Sequence, residues 1–123
     1  MADETQQLVV FARNLAYDDI PTHVLALAID SYIDQIGCQV GGGDLPWSKQ
    51  VLDTRWRAGG ATEATVVRYG HRLPLSAAVF VNGTFDHAFE YDDANLFFQG
   101  HPGVELIPPL RAVPERVGSE LVT

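Results

Sequence analysis

Val79-Phe80-Val81-Asn82-Gly83-Thr84-Phe85-Asp86-His87-Ala88-Phe89-Glu90-Tyr91-Asp92-Asp93, followed by His101-Pro102-Gly103, is the stretch on which the reading of this chain turns. Asn82, Asp86, Glu90 and Asp93 are spaced four, four and three residues apart, so on a continuous helix they share one face. The same segment carries Val79, Phe80, Val81, Phe85, Phe89 and Tyr91. A polar row inside an apolar surround is unlike an ordinary solvated stripe and resembles the lining of a site that moves protons. The spacing predicts a helix from Pro74-Leu75-Ser76 to about Tyr91, followed by a loop from Ala94 to Gly100 with exposed Phe97 and Phe98.

Upstream, Leu8, Phe11, Ala12 and Leu15 repeat with helical period over Thr5 to Leu15. Tyr17-Asp18-Asp19-Ile20-Pro21 breaks that helix, with Asp19 as a candidate cap for the next. The second helix has Val24, Ala28, Tyr32 and Ile36 in one row and Leu25, Ile29 and Ile33 in another, a broad apolar face. Gly37 and Gly41-Gly42-Gly43 are expected to end it. A third helix is expected from Asp44-Leu45-Pro46-Trp47 to Ala58, stopped by Gly59-Gly60. Thr65, Val66 and Val67 favour a strand, Gly70-His71 a turn and Arg72-Leu73 a return. Val104 to Val113 is apolar, and Pro108, Pro109 and Pro114 predict that a fifth helix there is short or kinked. The fold class is therefore mainly α with one short β-hairpin.

The chain has 123 residues, enough for one domain, and 46% hydrophobic content to fill a core. No apolar run reaches the ~20 residues of a membrane-spanning helix. The start, Met1-Ala2-Asp3-Glu4-Thr5-Gln6-Gln7, is acidic and polar, unlike a signal or transit peptide, so a cytoplasmic location is expected. A single cysteine, Cys38, excludes an internal disulfide and a cysteine zinc cage. The net charge of −8 argues against nucleic acid and anionic membranes as partners. No Lys or Arg lies between Leu73 and Leu110.

Several short pieces in order now bear on family: Phe11-Ala12, Tyr17-Asp18-Asp19-Ile20-Pro21, Ile36-Gly37-Cys38, Gly41-Gly42, Glu63-Ala64-Thr65-Val66, Ala77 to Gly83, His87-Ala88, Tyr91-Asp92-Asp93, His101-Pro102-Gly103 and Ile107-Pro108. In this order the chain resembles, almost end to end, the N-terminal part of the MmgE/PrpD family, which includes 2-methylcitrate dehydratase and cis-aconitate decarboxylase. The resemblance implies a large helical domain, a smaller α+β domain and a cleft between them. It implies a lyase that dehydrates or decarboxylates small polycarboxylic acids without a required metal or other cofactor. Family members are several times longer, so residues 1–123 are expected to be the incomplete N-terminal part of the helical domain, inactive alone. A homo-oligomer or a separately encoded second half is the expected partner.

By the same resemblance His101 is a candidate active-site acid or base, a role that suits a group titrating near neutrality. Its plain alternative is an unremarkable loop histidine. Asp92 and Asp93 match the paired aspartates of the family, to orient a histidine or simply to form a turn; being adjacent on the chain, at most one is expected to face the cleft. Glu90 stands where members carry aspartate and Ala94 where many carry threonine, which leaves the substrate open. Asn82 and His87 are candidate substrate-binding residues, Asn82 having a buried structural bond as its alternative. His87, Glu90 and His101 also suggest a metal set, although the sequence shows no closed set of ligands and none is expected. His23 and His71 are expected at the surface, and Trp47 and Trp56 as packing anchors. The functional alternatives to a lyase are a non-catalytic helical remnant or assembly subunit, and a metal-binding helical protein.

Overall fold

The structure is a computed structural model in which residues 3–97 and 99–118 are described. Phe98, expected to be an exposed loop aromatic, lies outside the described residues. The described residues form five α-helices and one two-stranded antiparallel sheet, matching a mainly α fold with a short hairpin. None of the helices is long and apolar enough to cross a membrane. The chain divides into two compact units, with the division inside the second helix after Asp30.

The first unit holds α1 (Glu4–Asn14), a single 3₁₀ turn at Tyr17–Asp19 and the first turns of α2 (Thr22–Gly42). Asp3 caps α1 by accepting a hydrogen bond from the Thr5 amide at 3.1 Å. Asp19 does not cap α2. Its carboxylate accepts the Ala16 amide and closes the 3₁₀ turn behind it, while the Pro21 carbonyl accepts the first amides of α2. Leu8 and Phe11 of the periodic row are about two-thirds exposed.

The second unit is built around α4 (Leu75–Asp86). Ala78, Val81, Asn82, Phe85 and Asp86 are buried at helical spacing. Around it lie α3 (Pro46–Ala58), β1 (Ala64–Thr65), β2 (Arg72–Leu73) and α5 (Pro102–Val117). The core joins Leu52, Ala64, Val66, Leu73, Ala78, Val81, Phe85 and Ala112. The hairpin pairs Ala64 with Leu73 and Thr65 with Arg72, and the turn passes through Gly70 at φ 67°, a backbone region glycine enters without strain. Asn82 is committed to this hairpin. Its side-chain oxygen accepts the Val67 amide at 3.0 Å and its nitrogen donates to the Thr65 carbonyl at 2.9 Å.

Four local expectations are corrected. α2 runs through Gly37 to Gly42, and the side chains it buries there are Gln35 and Gln39, whereas Ile33 is 62% exposed. Gly42 lies against the backbone of α4, where any Cβ would overlap the Phe85 carbonyl. α4 ends at Asp86 and not near Tyr91: His87–Phe89 tightens into a 3₁₀ turn, and Glu90 takes the left-handed conformation at φ 53°. The row Asn82-Asp86-Glu90-Asp93 therefore does not share one helical face. α5 extends over 16 residues despite Pro108, Pro109 and Pro114. Pro108 and Ala112 are buried in the second unit, and packing against α4 outweighs the lost backbone bonds. Trp47 and Trp56 are each half exposed; Trp56 stacks on His71 with ring centres 4.4 Å apart.

Candidate functional site

Where α4 gives way to the 3₁₀ turn, the backbone reverses at Glu90 and brings Asp92 back over His87. The following loop is closed by paired backbone bonds between Asn95 and Gly100 and delivers His101 at the start of α5, with Pro102 in its first turn, where a missing N–H costs nothing. Three side chains from three local structures thus converge. His87 Nδ1 lies 2.9 Å from Asp92 Oδ1, and His101 Nδ1 lies 3.1 Å from Asp92 Oδ2. The first contact is a hydrogen bond. The second is close enough for charge pairing but is not aligned as one, and His101 Nδ1 is a buried ring nitrogen without a hydrogen-bond partner. The imidazoles meet edge to face at 4.7 Å. The Asp92 side chain is fully buried, whereas those of His87 and His101 are 44% and 36% exposed.

Beneath this triad is an acidic layer faced by amides. Asp93 Oδ1 accepts the Gln35 amide at 3.1 Å and the Gly103 backbone N–H at 2.8 Å, so it ties α2 to the first turn of α5. Both aspartates of the pair point inward, toward different partners. Asp86 accepts the Gln39 amide at 2.9 Å. Burial pushes the Asp86 carboxyl up to about 7; the Gln39 bond works against that rise, and Asp92, Asp34 and Asp93 reinforce it. Burial and the same carboxylates also raise the Cys38 thiol, which keeps it protonated and unsuited to act as a nucleophile.

A groove of about 610 Å³ opens beside the triad, lined by Trp47, Phe80, Gly83, Thr84, His87, Ala88 and Glu90. His87 and Glu90 share this wall, and His101 reaches it only through its contact with His87. Arg55 of α3 lies over the Phe80 ring at 4.7 Å, a cation brought to the groove's edge that spacing along the chain did not reveal. Glu90 does not belong to the His87–His101 cluster; among the described residues Asp92 takes that place. Asp92 was read as a candidate to orient one histidine; that it lies between two was not legible, because this depends on the left-handed turn at Glu90. Gln35 and Gln39 were not singled out in the sequence, because their partners Asp93 and Asp86 lie on distant segments.

Two imidazoles flank one buried carboxylate beside an open groove in this helical domain, an arrangement whose groups are able to carry protons. Residues 6–121 match the sequence model of the MmgE/PrpD N-terminal domain, and the chain belongs to that family. It is 32% identical over 111 residues to cis-aconitate decarboxylase of Aspergillus terreus, covering 90% of this chain and 23% of that protein. The same identity and coverage hold for the cis-aconitate decarboxylase-like protein oryM of Aspergillus oryzae. The chain thus spans about a quarter of the length of these relatives. No solved structure matches it.

Proposed function

We propose that this chain supplies the proton-transfer part of a cytoplasmic lyase acting on a small polycarboxylic acid, by dehydration or decarboxylation. The observation that supports this most is the shared carboxylate: Asp92 sits between the two rings, hydrogen-bonded to His87 Nδ1 and 3.1 Å from His101 Nδ1. That leaves each Nε2 for a substrate proton. In this reading His101 is the acid or base, as the family resemblance implies, and Asp92 lies beside it. His87 and Glu90 line the substrate groove. Asp93 acts indirectly, by fixing the backbone beside His101. Asn82 holds the hairpin rather than the substrate.

The reading requires further positive charge. Asp86, Asp92 and Asp93 crowd the site, and no Lys or Arg among the described residues pairs with Asp92. Beyond Arg55 at the groove's edge, substrate carboxylates placed there need cations from outside this chain, supplied by a second domain, a second copy or a separately encoded half. We therefore propose that residues 1–123 are the N-terminal part of the helical domain and are inactive alone.

The test has two arms. The purified chain, offered citrate, methylcitrate and cis-aconitate, is expected to give neither alkene absorbance changes nor CO₂. Substituted for the matching quarter of the Aspergillus terreus decarboxylase, it is expected to support turnover that His101→Ala abolishes. Turnover by the chain alone would overturn the incompleteness. A chimera that folds by circular dichroism yet turns over none of the three acids would overturn the lyase reading.

A further inference from the structure

We propose that His87, Asp92 and His101 form a binding site for one divalent cation of the zinc and cobalt class. Their ligand atoms all lie within 4.8 Å of one another. In a tetrahedral site with metal–ligand bonds near 2.0–2.1 Å, neighbouring ligand atoms sit about 3.3 Å apart. One carboxylate oxygen, Asp92 Oδ2, lies 3.1 Å from both His87 Nδ1 and His101 Nδ1, already close to that edge length.

Three further observations point the same way. His101 Nδ1 is buried with no hydrogen-bond partner, so a lone pair there is uncommitted. The Asp92 carboxylate is fully enclosed and meets only imidazoles as ion-pair partners among the described residues, and a buried carboxylate is stabilised by a cation. Asp86 and Asp93 beneath are bonded by neutral amides rather than by Lys or Arg. Both histidine side chains are partly exposed, so solvent reaches the edge of the cluster. Two nitrogens and one carboxylate suit zinc or cobalt better than magnesium or calcium, which prefer oxygen. Ligation through Nδ1 leaves both Nε2 atoms free. The expectation of no metal rested on His87, Glu90 and His101 failing to close a set; Asp92 in place of Glu90 closes it.

The experiment is a cobalt titration of the complete chain, purified without a histidine tag and stripped with chelator. A ligand-field absorption band should grow to saturation at one cobalt per chain and be displaced by zinc. His101→Ala and Asp92→Asn should each weaken binding about 100-fold or more. His71→Ala, which removes a histidine away from the site, should leave the titration unchanged. If either site variant unfolds by circular dichroism, His87→Gln on the groove wall gives the same readout. Absence of a saturable band at one equivalent overturns the proposal, as does unchanged affinity in folded site variants. The readout is binding alone, so it fails or succeeds independently of lyase activity.

Discussion

Gly103→Ala sets two forces against each other with opposite signs. On helix propensity alone, alanine in α5 should stabilise by up to ~1 kcal/mol. The structure predicts the reverse. A Cβ on Gly103 would overlap Asp93 Oδ1 and the Gln35 side-chain carbon, and would sit 2.6 Å from the Gln35 amide nitrogen. These atoms are held in place, because Asp93 Oδ1 accepts both the Gln35 amide and the Gly103 N–H. Overpacking costs about 1–3 kcal/mol, and stranding the carboxylate or the amide costs about 1–3 kcal/mol more. Net of the propensity gain, the variant should lose about 2–4 kcal/mol. In urea, where a domain of this size loses roughly 1–2 kcal/mol per molar, that is a midpoint lower by about 1–4 M. Gln35→Ala in the same chain should recover part of the loss by making room for the methyl. A Gly103→Ala protein at least as stable as the parent, with no coupling to Gln35, would refute the described junction of α2 and α5.

Asp86→Asn tests the buried carboxyl, in metal-free buffer. The folded state raises this group from 3.8 to about 7, so its stabilising share is complete below about pH 4 and is lost as pH rises to about 7. At ~1.4 kcal/mol per pH unit, the variant should gain about 4 kcal/mol on the parent across that interval; a difference flat with pH in denaturation curves would contradict it. Asn82→Ala removes both ties to the hairpin and should cost about 2–4 kcal/mol. Hydrogen exchange at the Val67 amide should accelerate first, and unchanged protection there would show that Asn82 does not hold the strand. Gly42→Ala should destabilise more than any alanine on the exposed side of α2, read as a lower melting temperature, because its Cβ meets the Phe85 carbonyl, a backbone atom that cannot swing aside.

Much of the helical plan was legible. Pro46 at the start of α3, Gly59 at its end and the Gly70 turn carry local signals that the fold obeys. So did the residues of the triad, since His87, Asp92 and His101 were all singled out from the chain. Their arrangement was not legible, because it depends on where α4 stops. Apolar periodicity continues through Phe89, and nothing local announces a left-handed glutamate at position 90. The reading of α2 failed for a different reason. Gly37 loses only propensity in a helix, and close packing at Gly42 outweighs that loss. Nothing in the sequence marks Gln35 and Gln39 for burial, which depends on carboxylates of other segments that hold their amides. In α5, proline counted against length until the packing of Pro108 and Ala112 was known.

The hairpin has a consequence for the order of folding. Its strands are two residues each, too short to persist as a free ribbon. Thr65 donates from both its amide and its hydroxyl to Glu115 of α5, at 2.9 and 2.6 Å; Arg72 pairs with the same carboxylate; and Asn82 of α4 clasps the backbone on either side of Val66. Closing contacts between residues 65 and 115 carries the entropy of a long loop, which only a docked helix pair offsets. The ribbon is therefore expected to form late, after α4 and α5 have met, so that protection of its amides would time the completion of the second unit.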